Sequence, residues 1–201
     1  MIKKINVLIF SLFFNVIVFG QNIQSWNTLN IKGKISSKWT IAMEPEVRYS
    51  DKQEYFHLDV GLVYKINKKL KIGGYYREIF EIKSEGRVHE VRPHIDVFYK
   101  PVKSFSVRVR NEYQIKEFSD NIWRIRVRPT YSYAINDWFI PFVQTEPFFS
   151  LKGFIRNRFN IGPGFVFGKL WLKPGYMLQT DIKTDGIKQT HIVWINTGLK
   201  F

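Results

Sequence analysis

The residues best equipped for chemistry are arginines spaced two apart. Arg124, Arg126 and Arg128 stand at alternate positions, and Arg108 with Arg110 and Arg156 with Arg158 repeat the spacing. In an extended strand, positions i, i+2 and i+4 share a face, so each run projects two or three guanidiniums in one direction. A guanidinium is a permanently charged planar fork that grips carboxylate or phosphate through paired N–H bonds. Arg48, Arg77 and Arg92 extend the set, and Glu44, Glu46, Asp59, Glu90, Asp96, Glu112, Glu146 and Asp181 are the acids that share its strand parity. Two chemistries follow. Arginine and carboxylate can form a wall of ion pairs, because charge removed from water must be neutralised. The surplus of ten arginines over eight acids can line an anion path, or hold a phosphate or carboxylate.

Other chemistries find less support. The chain has no cysteine, which excludes disulfides, Cys-ligated zinc or iron–sulfur sites, and a Cys nucleophile. His57, His89, His94 and His191 are the four histidines, and none falls in a metal-binding spacing. His57 near Asp59, and His191 near Asp185 and Thr190, are the places where a hydrolase on a barrel rim would assemble, although Gly-x-Ser-x-Gly is absent. No metal and no cofactor is expected. The net charge of +14 attracts anions, but nucleic acid is not an expected partner. Arginines and aromatics interleave on opposite strand faces, whereas a nucleic-acid platform carries both on one.

These side chains need elements to hold them. Lys3 and Lys4 precede an apolar run from Ile5 to Phe19, followed by Gly20 and Gln21. The run is shorter than the roughly 20 residues of a spanning helix and reads as a signal peptide over 1–20, cut before Gln21. Loss of the two lysines leaves a charge of +12. From residue 21 to 201 the apolar period is two. Phe56, Leu58, Val60, Leu62 and Tyr64 oppose His57, Asp59, Gly61 and Val63; Ile125, Val127, Pro129 and Tyr131 oppose Arg124, Arg126, Arg128 and Thr130. Short polar turns at Ser36–Lys38, Asn67–Lys69, Val102–Ser104, Asn136–Asp137 and Gly168–Lys169 recur about every 33 residues, and the pattern between them makes each unit a β-hairpin rather than a helical repeat.

Alternation alone does not say which face is inside. About eleven strands with five or six bulky apolar residues each would overfill a small soluble core. Gly61, Gly73, Gly162, Gly164, Gly175 and Gly198 fall on the polar parity, where a narrow lumen needs small residues beside long arginines. Trp39, Trp138 and Trp171 lie next to the short turns, with Tyr49, Phe118 and Phe149 toward the opposite ends, as two membrane-interface girdles would. The expected fold is therefore all-β: a closed up-and-down antiparallel transmembrane β-barrel of ten to twelve strands. Bacterial single-chain barrels have even strand numbers. The count of eleven thus predicts ten if Ile23–Lys32 is not a full strand, or twelve if a break is hidden. Six mid-strand prolines, Pro45, Pro93, Pro129, Pro147, Pro163 and Pro174, lack a ladder donor and predict β-bulges.

The ending Val193, Ile195, Thr197, Leu199, Phe201 resembles the C-terminal assembly signal of bacterial outer-membrane barrels, carried by Leu199 and the terminal Phe201. More narrowly, the arginine-rich strands Arg124–Pro129 and Phe154–Phe159, with Trp26 and Lys38-Trp39, resemble a family of small Gram-negative outer-membrane-type proteins known only as a domain of unknown function. The resemblance covers residues 21–201 and implies an address, outer-membrane lipid and the barrel assembly machinery as partners, and no activity. The functional expectation is a non-enzymatic barrel, structural or passing small anionic solutes through a lumen lined by Arg92, Arg108, Arg110, Arg124, Arg126, Arg128, Arg156 and Arg158. Their acidic partners would be Glu44, Glu46, Glu90, Asp96, Glu112 and Glu146. Two alternatives stand beside it: a rim-located lipid- or protein-modifying enzyme, and a soluble periplasmic clamp whose open seam holds an apolar ligand.

Overall fold

The computed structural model describes residues 23–50, 53–83 and 86–201, so the leader expected over 1–20 and its cleavage site lie outside the described residues. The strands are β1 (Ile23–Lys34), β2 (Trp39–Ser50), β3 (Gln53–Lys65), β4 (Leu70–Lys83), β5 (Gly86–Val102) and β6 (Phe105–Lys116). They continue as β7 (Ile122–Ser132), β8 (Phe142–Ser150), β9 (Gly153–Gly162), β10 (Phe165–Phe167), β11 (Leu170–Lys183) and β12 (Gly186–Lys200). Each pairs with its chain neighbours except that β9 and β10 do not pair and both lie against β11, and β1 pairs with β12 to close the ring.

The wall has eleven positions rather than ten or twelve. Tyr176 opposes Ile161 and Leu172 opposes Phe165 in one unbroken register, so β9 and β10 are a single strand interrupted around Pro163. Ile23–Lys34 is a full strand. An odd count has a geometric consequence: the first and last strands run the same way. The closing pair is accordingly parallel, with Ile23 opposite His191 and Lys32 opposite Lys200, while the other pairs are antiparallel. Odd-stranded barrels are known from mitochondria. The seam is closed over ten residue pairs, which removes the open clamp expected as an alternative.

The hairpins form where the sequence supplies turn chemistry. The Asn67 side-chain oxygen accepts from the backbone N–H groups of Lys69 and Leu70 at 2.8 and 2.9 Å, and Asn136 does the same for Trp138 and Phe139. Ser36 Oγ accepts from Trp39 N at 3.1 Å. At the opposite end, Gly153 and Gly186 take φ of +97° and +131°, conformations that side chains disfavour.

Pro45, Pro93 and Pro129 do not produce the expected bulges, whereas Pro147 lies beside one. In an antiparallel sheet a residue's N–H and C=O face the same neighbour, so each proline forfeits pairing on one side only. Pro45 keeps its place opposite Leu58 while the β1–β2 ladder opens between Thr28 and Ile31 without a shift in register. Pro93 opposes Tyr76 while the β5–β6 ladder opens between Val91 and His94, and Pro129 opposes Val107 while the β7–β8 ladder opens. True register shifts occur at two places, Tyr99/Val102 around Pro101 and Phe148/Phe149 next to Pro147.

The faces point as the alternation predicts. Among the described residues, 38 large hydrophobic side chains are exposed, while 19 polar or charged residues are buried against 10 hydrophobic ones. That is a water-soluble protein turned inside out. Val60, Leu62, Ile95, Val97, Ile125 and Phe159 form an outer apolar belt. Trp39 and Trp138 are exposed near the short turns, and Tyr49, Phe118 and Phe149 at the other end.

Candidate functional site

The charged interior is an ion-pair ladder whose rungs are set by strand register. Asp59 lies directly opposite Arg77, and the guanidinium grips it with both ends, Nε at 2.7 Å and Nη2 at 2.5 Å. Asp96 opposes Arg110 with the same two-pronged geometry, at 2.7 and 2.8 Å. Glu112 opposes Arg124, whose Nε donates to it, and Asp181 opposes Arg156, which donates likewise. Glu46 with Arg48 and Glu90 with Arg92 pair along one strand, two residues apart. Glu146 on β8 joins three strands: it accepts from Arg108 of β6 at 2.6 Å and from Arg126 of β7 at 3.0 Å, and it lies 3.9 Å from Arg158 of β9. Arg126 also reaches Glu112 at 3.2 Å. Glu44 is the looser member, half-buried and 3.7 Å from Arg77.

All eight acids are therefore engaged, and the surplus narrows to few groups. Of the ten interior arginines, Arg128 alone has no carboxylate within 4 Å among the described residues. Two lysines join it. Lys32 has no acidic partner within that distance, and Lys173 rests over the rings of Phe142 and Trp171 at 5.1 and 5.4 Å. All three line one central cavity of about 290 Å³, with Asn30, Asn160 and Asn196 also on its wall.

Interior aromatics were not legible among the arginines. Phe148 is fully buried on the charged side, and Arg124, Arg126, Arg156 and Arg158 all stand over its ring within 5.6 Å. The ring keeps four like charges apart and binds each through its electron-rich face. Trp171, expected with Trp39 and Trp138 in the outer girdle, instead lines the central cavity. Its indole covers Gly198, its cross-strand partner, where a Cβ would fall inside the ring. Gly61 opposite Tyr75 and Gly175 opposite Trp194 repeat the arrangement. Gly61, Gly73, Gly175 and Gly198 thus make room for aromatic rings, not for arginines, while a Cβ at Gly162 or Gly164 would meet a backbone carbonyl. A glycine on polar parity whose hairpin partner is aromatic was the available signal, since ring and glycine complement one another across strands.

Three cavities follow one another along the barrel. The central one shares Lys32, Arg108, Arg128 and Thr130 with a cavity of about 580 Å³ at the mouth bearing Phe201. It shares Trp26, Arg48, Arg92, Arg124 and Arg158 with a cavity of about 1070 Å³ at the opposite mouth.

The histidines meet carboxylates, a carbonyl and a phenol hydroxyl among the described residues. His57 is buried in the wall between Glu46 and Glu44, at 3.6 and 3.9 Å, and neither ring nitrogen has a hydrogen-bond partner. His94 stacks on Tyr75, and its Nδ1 lies 3.2 Å from the carbonyl of Arg92. His89 meets Glu78, and His191 meets the Tyr176 hydroxyl at 2.6 Å rather than Asp185 or Thr190. Glu44, His57 and Asp59 present one donor atom each within 4.8 Å of one another, yet Arg77 already occupies both oxygens of Asp59, so the charge a metal would neutralise is spent.

A sheet rolled shut, apolar outside and charged inside, defines a transmembrane β-barrel of the outer-membrane type. Within that class the chain belongs to the family described as Protein of unknown function (DUF2490), whose model matches residues 23–190. Among solved structures it is similar to one described as KdgM porin, with a TM-score of 0.57 and 14% identity, covering 84% of this chain and 92% of that one. At that identity the likeness is one of fold. No curated protein matches it in sequence.

Proposed function

We propose that the protein resides in the outer membrane of a Gram-negative bacterium and passes small anionic solutes through its lumen. One observation carries the reading: cavities with shared walls run from mouth to mouth, and three cations lacking acid partners, Arg128, Lys32 and Lys173, face the central one. The salt-bridged arginines shape and rigidify the bore. The unpaired cations set its sign, because a fixed positive charge in a narrow passage favours anions and rejects cations. In this reading residues 1–20 are a cleaved signal peptide that exports the chain, Leu199 and Phe201 address it to the barrel assembly machinery, and lipid solvates the outer belt. The likeness of fold to KdgM porin supports passage over a purely structural role.

The test is conductance of the detergent-purified protein in a planar bilayer, with the reversal potential taken in a salt gradient. A steady anion-selective conductance is expected. Its selectivity should fall in Arg128→Gln, which removes a charge without freeing a carboxylate, and should stay near the parent in the double variant Arg110→Gln/Asp96→Asn, which removes a neutralised pair and no net charge. Silence from protein shown to be folded and inserted would mean a plugged barrel and would overturn the reading.

A further inference from the structure

The two mouths differ sharply in charge. The cavity at the Phe201 end is lined by nine lysines and two arginines, among them Lys32, Lys68, Lys71, Lys100 and Lys200, and by no Asp or Glu side chain. The opposite mouth carries eight cationic side chains but also Glu81, Glu90 and Asp181. The lysines come from chain segments far apart in sequence: β1 and the turn after it, β3 and the turn after it, β4, β5 and β12. Ordinary surfaces interleave both signs, since concentrated like charge repels itself. Here the repulsion is left uncompensated around a concave space of about 580 Å³ whose floor is Arg108 and Arg128.

We propose that this mouth is a binding site for a multivalent anion, a solute bearing several phosphate or carboxylate groups. It would be captured at the lysines before reaching the central cavity. The inference deepens the anion-passage reading and rests on it for the step beyond capture. Valence follows from the density of charge. A mouth potential that enriches a monovalent anion about fivefold enriches a tetravalent one roughly 600-fold, because the Boltzmann factor is raised to the power of the charge. Lysine suits capture better than arginine would: its ammonium is a mobile point charge that conforms to anions of different shape, where a guanidinium fork selects geometry. Dispersed lysines on long stems also release what they catch, as transfer inward to Arg128 requires.

Inorganic tripolyphosphate is the probe. Added to one face of a bilayer of zwitterionic lipid holding the protein, it should interrupt the current from that face at micromolar concentration and not from the other. The triple variant Lys68→Gln/Lys69→Gln/Lys100→Gln should weaken this block by about tenfold or more, since the local potential falls with each charge removed. Lys152→Gln, at a turn of the opposite end, should leave it unchanged. Block of equal strength from both faces, or block unaltered by the triple variant, overturns the proposal. Calorimetric titration of the detergent-solubilised protein keeps the two readings apart. A protein that carries no current yet binds tripolyphosphate, and loses that binding in the triple variant, has the site without the pore. A conducting protein with no binding in excess of chloride at equal ionic strength has the pore without the site.

Discussion

Arg126 is where the ladder is most sensitive to a single change. It is 6% exposed, donates three hydrogen bonds to Glu112 and Glu146 at 3.0 to 3.2 Å, and lies 4.6 Å from the ring of Phe148. Arg126→Met keeps most of the volume against that ring and removes the charge. Removing one partner of a buried pair typically costs about 3–5 kcal/mol. The lower end applies, because Glu112 keeps Arg124 and Glu146 keeps Arg108. For a chain of this length each kcal/mol shifts melting by roughly 2–4 °C, so thermal unfolding in detergent should fall by about 6–12 °C. Arg126→Glu should fall further, since it sets a third carboxylate beside two that remain. Arg126→Met combined with Glu146→Gln should lose less than the sum of the single changes, with a coupling of about 1–3 kcal/mol. Melting of Arg126→Met within 2 °C of the parent, or strict additivity in the double variant, would refute the paired-lumen account.

Three further outcomes are expected. Gly198→Ala places a methyl inside the Trp171 indole and should destabilise by about 1–3 kcal/mol, whereas Gly74→Ala, with nothing within 4 Å of the new Cβ, should melt like the parent; equal melting of the two would show that the ring does not pack there. Ile95→Arg puts a charge in the middle of the outer belt, where Ile95 is 54% exposed. It should cost about 2–4 kcal/mol in refolding into lipid vesicles, and a neutral result would mean that this face does not meet hydrocarbon. Asp96→Asn releases Arg110 from its two-pronged pair, so reversal potentials should move toward stronger anion preference while thermal stability drops; a shift toward cations would contradict the assignment of Arg110 to the lumen.

Period-two alternation in the sequence was enough to decide strands, the parity of each face and the membership of the charged ladder, because a strand can only present side chains to two sides. The count of eleven was also legible. Its meaning was not: the rule of even numbers pointed to ten or twelve, and only closure of the ring revealed a parallel seam between β1 and β12 and a strand broken at Pro163. Pairing across the lumen was equally hidden. Composition gives a surplus of arginine, but which arginine is left over depends on what stands opposite, and register places Asp96 before Arg110 and Glu112 before Arg124 while leaving Arg128 without an acid. Trp171 could not be told from Trp39 by its position beside a turn, since both flank short loops; the parity it shares with Gly175 and Asp181 points its ring inward, and the glycine across from it leaves the ring room. The lysine mouth shows the division most plainly. Its members are scattered from Lys32 to Lys200, and no local pattern links them. Rolling the sheet shut is what gathers one end of five strands and two turns into a single ring of charge.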